Sequence, residues 1–122
     1  MGLIKGVDFI TIGTTDFEAA DAFYGDVLGL ERSKRWGRMP AGEFETGTVT
    51  IAVMQSDAFG MEFRPSGQPI ALRVDDVPAA RRELEARGVE FVSDLIDSGT
   101  CHQALFKDPD GNVLNLHHIY AR

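Results

Sequence analysis

The 122-residue chain is 43% hydrophobic and 25% charged, a balance that supports one folded core in a single domain. Its formal net charge of −7 excludes a protein that tracks nucleic-acid phosphates with clustered cations and gives no reason to expect an anionic membrane surface. Cys101 is the one cysteine, so no intrachain disulfide is possible and a reducing, cytoplasmic setting fits best.

The elements follow in chain order. Residues 7–14 alternate as a strand, with Ile10 and Ile12 on one side and Phe9 and Thr11 on the other. Thr15, with Glu18 three residues on, carries the reciprocal capping pattern and predicts the start of a helix. Phe17, Ala20, Tyr24, Val27 and Leu28 share one face of it, and Gly29 ends it. Residues 30–36, 43–46 and 48–55 read as strands, with 59–64 as an optional fourth.

The plan then repeats. Ile70, Leu72 and Val74 alternate in a strand. Asp76 caps a second helix that has Pro78 in its first turn, buries Val77, Ala80 and Leu84, and stops at Gly88. Strands are predicted at 89–94, 99–107 and 112–119, the last two joined by the turn residues Asp108-Pro109-Asp110-Gly111-Asn112. Asp16 and Asp76 lie sixty residues apart, as do Ala19-Ala20 and Ala79-Ala80. A repeat of this size is one supersecondary unit used twice. The expected fold class is therefore α+β: two βαβββ modules, about residues 1–64 and 65–122, in one domain. No apolar run reaches the ~18 residues of a membrane helix, and the first residues carry no signal-peptide pattern.

Three stretches carry a resemblance. They are Thr15-Asp16-Phe17-Glu18 with Phe23-Tyr24-Gly25-Asp26-Val27-Leu28-Gly29-Leu30, then Ala71-Leu72-Arg73-Val74-Asp75-Asp76-Val77, then Asp108-Pro109-Asp110-Gly111-Asn112-Val113-Leu114. Together, in this order, they resemble the vicinal oxygen chelate superfamily of glyoxalase I, extradiol dioxygenases and bleomycin-resistance proteins. The resemblance implies curled mixed sheets around a cavity, and a homodimer that completes it. It also implies one divalent metal, held by His, Glu or Gln on the first and last strands of each module. Those positions fall here on Phe9, Ala52, Pro69 and Asn115. Phe, Ala and Pro offer no side-chain donor, and Asn is a poor neutral ligand. The expected cofactor is none, and no metal site is expected.

Strand parity points the same way. If Ile10 and Ile12 pack under the helix, then Phe9 and Thr11 face away from it, as do Pro69, Ala71 and Arg73, Thr50, Ala52 and Met54, and Asn115 and His117. Such a lining, apolar with a few polar groups, suits a small-molecule pocket. His117 and His118 are neighbours on a strand and should diverge, which opposes a displaced metal site with His102. Cys101 and His102 diverge for the same reason, so an inert thiol is favoured over a nucleophile. Arg32, Lys34, Arg35 and Arg38 surround Trp36. The charges read as a solvated loop more readily than as an anion-attracting lip, whereas Trp36 is a ligand-stacking candidate. Met54 is an adaptable wall residue by its parity.

The leading expectation is a metal-independent, homodimeric binding protein for a hydrophobic or aromatic small molecule. Phe9, Thr11, Trp36, Ala52, Met54, Asn115 and His117 would contact the ligand. The alternative is a glyoxalase-like lyase, isomerase or dioxygenase that uses His117 as acid/base or an atypical metal site.

Overall fold

The structure, a computed structural model, describes residues 2–122. The chain divides into two compact units, Met1–Phe63 and Arg64–Arg122. Among the described residues, no helix is long and apolar enough to cross a membrane.

The first unit runs β1 (Phe9–Thr14), α1 (Phe17–Ala22), β2 (Glu31–Arg35), β3 (Ala41–Glu45) and β4 (Thr50–Gln55). Its sheet has the order β1-β4-β3-β2. The first and last strands pair in parallel, with Phe9 opposite Thr50 and Thr11 opposite Ala52. The helix starts one residue later than Thr15 predicts. Asp16 is the cap, its carboxylate accepting from the Ala19 N–H at 3.4 Å. The buried Thr14 hydroxyl accepts the Asp16 N–H at 3.1 Å, bracing the turn. Phe17, Ala20, Phe23 and Tyr24 are buried. Past Ala22 the helix widens into a π-helical turn over Phe23–Val27. Gly25 lies in that turn, where an added Cβ would come within 2.1 Å of the Arg32 guanidinium. The lack of a side chain there lets Arg32 reach Asp21 at 3.0 Å and Asp26 at 3.2 Å. Gly29, at φ 73°, ends the segment as expected.

Residues 59–64 do not form the optional fourth strand. Chain after β4 turns through a 3-10 helix, Ser56–Phe59, closed by Gly60 at φ 72°. Side chains of Ser56 and Phe63 lie close over Gly13, where a Cβ would meet them at 2.7 and 3.6 Å. The segment therefore covers the end of β1 rather than extending the sheet.

The second unit runs β5 (Ile70–Arg73), α2 (Val77–Ala86), β6 (Glu90–Phe91), β7 (Ile96–Asp97), β8 (Cys101–Lys107) and β9 (Val113–Ile119). Its sheet has the order β5-β9-β8-β6, with β7 also on β8. The parallel pair recurs, Ile70 opposite Leu114 and Ala71 opposite Asn115. Asp76 caps α2 through the Ala79 N–H at 2.9 Å, Pro78 sits in the first turn, and Gly88 at φ 88° lies just beyond the end. The predicted strand over 89–94 is a correction: two residues pair with β8, the chain kinks, and Ile96–Asp97 pair with it again. Ser93 supports the kink, its hydroxyl accepting the Leu105 N–H at 2.9 Å.

The turn before β9 is a buried polar knot. The Asp108 carboxylate accepts the Asp110 and Asn112 N–H groups, each at 2.9 Å, and the Asn112 side-chain amide at 2.8 Å. Asn112 in turn accepts the Ser66 N–H at 2.8 Å, which ties the start of this unit to its last strand. Asn112 is 1% exposed, so loss of its amide would strand several buried polar groups. Asn112→Ala is expected to lower unfolding free energy by about 2–4 kcal/mol, with the slope against denaturant unchanged, as read by urea titration.

Candidate functional site

Strand parity divides each sheet into a helix-covered face and an opposite face. In the first unit Ile12, Phe44, Ile51 and Val53 are buried on the helix side. The register places Phe9, Thr11 and Gly13 on the other side with Thr50, Ala52 and Met54, and with Glu45, Glu43 and Ala41 beyond them. Phe9 is 45% exposed, while Ala52 and Met54 are buried.

Trp36 organises this face. Its Nε1 donates to the Glu43 carboxylate at 2.7 Å on β3. Its ring meets Phe9 on β1 edge-on, centroids 6.2 Å apart, and meets Phe59 edge-on at 6.0 Å. Since β4 lies between β3 and β1, the indole crosses over β4. A small residue there, Ala52, leaves it room. The result is an aromatic row, Phe9–Trp36–Phe59, whose central ring is held by a carboxylate. Sequence analysis brings Phe9, Trp36, Ala52 and Met54 to this face but misses Glu43, Glu45 and Phe59. Alternation around the buried Phe44 carries the signal for the two carboxylates. Phe59 carries none, because its position depends on the unforeseen 3-10 turn.

Glu45 is held by two hydroxyls, Ser33 and Thr50, the latter at 2.6 Å. The Ser33 hydrogen bond foremost, then that of Thr50, keeps its carboxyl below the usual range near 4.5. Two of the four basic residues around Trp36 are engaged within the fold. Arg32 pairs with Asp21 and Asp26, and Arg35 stacks over the Phe17 ring at 4.5 Å.

In the second unit the face opposite α2 carries Ala71 and Arg73, Asn115 and His117, and Leu105 and Gln103. The Asn115 side-chain amide donates to Gln103 Oε1 at 2.7 Å. His118 points to the opposite face, where it pairs across the strands with His102. His102 Nε2 lies 3.3 Å from Asp97, whose other carboxylate oxygen accepts from the Tyr120 hydroxyl at 2.6 Å. Tyr120 foremost, with the Gly99 N–H, lowers the Asp97 carboxyl. Cys101 Sγ is 3.0 Å from Ser98 Oγ.

The register settles which residues are equivalent in the two units. Ala52 lies opposite Thr11, two residues past Phe9, and Asn115 lies opposite Ala71, two residues past Pro69. Ala52 and Asn115 therefore occupy equivalent places in the two units, as do Phe9 and Pro69. Their chemistry does not fit a divalent metal, which needs carboxylate, imidazole or thiolate donors. Among the described residues, no group of three or more His, Cys, Asp or Glu is placed to hold one.

Removing the Ser33 hydroxyl should raise the Glu45 pKa toward its ordinary value. A carboxyl depressed in the folded state stabilises the fold above its unfolded pKa, and that contribution is lost as pH falls through the folded value. Ser33→Ala should therefore titrate Glu45 at higher pH in a carboxyl-carbon NMR titration and lose less stability between neutral and acid pH. An unchanged Glu45 titration would contradict this account.

Comparisons agree with the architecture. The chain matches the family model of the Glyoxalase/Bleomycin resistance protein/Dioxygenase superfamily over residues 6–116. It is 28% identical to the uncharacterized protein YaeR of Escherichia coli (strain K12), over 93% of this chain and 96% of that one. Among solved structures it is similar to TnmS3, an antibiotic binding protein from Streptomyces sp. CB03234. That pair has a TM-score of 0.79 and 24% identity, covering 98% of this chain and 99% of that one. It is similar also to lactoylglutathione lyase from Agrobacterium tumefaciens, with a TM-score of 0.76 and 19% identity over 95% of each chain. The chain belongs to the Glyoxalase/Bleomycin resistance protein/Dioxygenase superfamily.

Proposed function

We propose that this chain is a metal-independent binding protein that sequesters or carries a hydrophobic or aromatic small molecule, as a cytoplasmic homodimer. Ligand contacts come from Phe9, Thr11, Trp36, Ala52 and Met54 in the first unit and from Asn115 and His117 in the second. The observation that carries this reading is the aromatic row. Phe9 and Phe59 flank Trp36 edge-on, Glu43 fixes the indole, and Phe9 remains half exposed. A ligand that covers this surface gains about 25 cal/mol per Å² of apolar area removed from water. TnmS3, the antibiotic binding protein of similar fold, is a precedent for small-molecule binding on this architecture.

The second reading, a lyase, isomerase or dioxygenase using His117 or an atypical metal site, has a precedent in the lactoylglutathione lyase of the same fold. An acid/base step by His117 would need a second proton-exchanging group beside it. Its cross-strand neighbours are Gln103 and Arg73, and neither exchanges protons near neutral pH.

Trp36 is the one tryptophan, so its emission reports on the row directly. A thermal-shift screen of aromatic compounds in the presence of a chelator should yield stabilising compounds, since binding to the folded state raises apparent stability. Those compounds should perturb Trp36 fluorescence. Trp36→Leu should weaken them about tenfold, aromatic contact contributing ~0.5–1.5 kcal/mol beyond area burial. Compounds that stabilise only when a divalent metal is present, or equally well in Trp36→Leu, would refute the proposal.

A further inference from the structure

Asn115 is 5% exposed, and its carbonyl oxygen, Oδ1, is a buried polar atom with no hydrogen-bond partner. An unmade buried hydrogen bond costs about 1–3 kcal/mol. The amide end of the same side chain is committed to Gln103 at 2.7 Å. Gln103 is itself placed beside Cys101, its amide 3.9 Å from the thiol sulfur. Among the described residues none donates to Oδ1.

The same sheet face carries a cation. Arg73 stands opposite His117 in the parallel pair and on the same face as Asn115. It has no ion pair or hydrogen bond among the described residues, in a chain whose net charge is −7. Most arginines of the sheets and helices are engaged: Arg32, Arg81 and Arg87 with carboxylates, and Arg35 over an aromatic ring. On this face Ala71 and Leu105 supply apolar surface between the polar groups. Asn115 and His117, the residue opposite Arg73, are two residues apart on one strand, so their backbones are spaced by ~6.6 Å.

We infer that the ligand is an apolar, ring-containing anion that carries a hydrogen-bond donor at a distance from its acidic group. The donor, a hydroxyl or N–H, satisfies Asn115 Oδ1, and the anionic group pairs with Arg73 alongside His117. This inference rests on the binding function proposed above and adds the ligand class and a new specificity residue, Arg73. Guanidinium and carboxylate match as a planar, charge-assisted pair.

The probe is 6-hydroxy-2-naphthoate, compared with its 6-methyl ether and with 6-hydroxy-2-naphthamide, each titrated calorimetrically into the full chain. The hydroxy acid should bind at least tenfold more tightly than either analogue, since the ether lacks the donor and the amide lacks the charge. Arg73→Gln, at an exposed position, should weaken the hydroxy acid about tenfold and leave the neutral amide unchanged, which removes the advantage of the acid. The ether tests Asn115 without a substitution in the buried sheet. Equal binding of all three compounds, or equal weakening of acid and amide by Arg73→Gln, would overturn the inference while leaving the small-molecule binding function standing. No binding of any of the three would overturn the inference alone, the binding function itself being tested by the thermal-shift screen.

Discussion

Everything on these two faces depends on the register of one parallel strand pair in each unit. The first strand of each unit lies beside the last, β1 on β4 and β5 on β9. Because side chains alternate, a slip of one residue would exchange the helix-covered face with the opposite one. The burial of Ile12, Ile51 and Val53 under α1, and of Leu114 and Leu116 in the second unit, holds that register. At about 25 cal/mol per Å², seating these chains the wrong way would cost several kcal/mol.

Once the register is held, the chemistry of the other face follows. It puts Ala52 and Asn115 at equivalent positions, so neither can be exchanged for a neighbouring donor by shifting the alignment. A methyl group at Ala52 gives the Trp36 indole room to cross β4, where a carboxylate would intrude. An amide at Asn115 can bridge to Gln103 but brings no charge to a cation. One unit carries an aromatic row on this face, and the other a neutral amide on the same face as Arg73, which has no ion pair among the described residues. The first is suited to apolar rings and the second to polar recognition.

Much of this was legible in the chain. Parity alone assigns the faces of β1, β4, β5 and β9, and Asp76, Pro78 and Gly88 mark the second helix within a residue or so. The first helix shows the limit: Thr15 and Asp16 are both competent caps, and the choice is made by Thr14, whose buried hydroxyl fixes the turn. The edge of the second sheet was beyond reach because the break between β6 and β7 depends on a long-range contact of Ser93 with Leu105. Residues 59–64 alternate passably as a strand, but Gly60 at positive φ turns them back over Gly13. The aromatic row was half legible. Trp36 and Phe9 stand out as candidate ligand contacts, yet the pairing of Trp36 with Phe59 and Glu43 depends on the β2–β3 turn and the 3-10 turn meeting on one face.

The central claim is that this member of the superfamily works without a metal, and metal content tests it most directly. Untagged protein, purified without chelators and dialysed against nickel, zinc, manganese and iron, would be analysed by elemental mass spectrometry. Bound structural or catalytic metals survive such handling at stoichiometric levels, because their apparent binding free energies run to about 10 kcal/mol or more. The account predicts less than about a tenth of an equivalent of any metal, with protein that remains fully folded. One equivalent of any of them would contradict it.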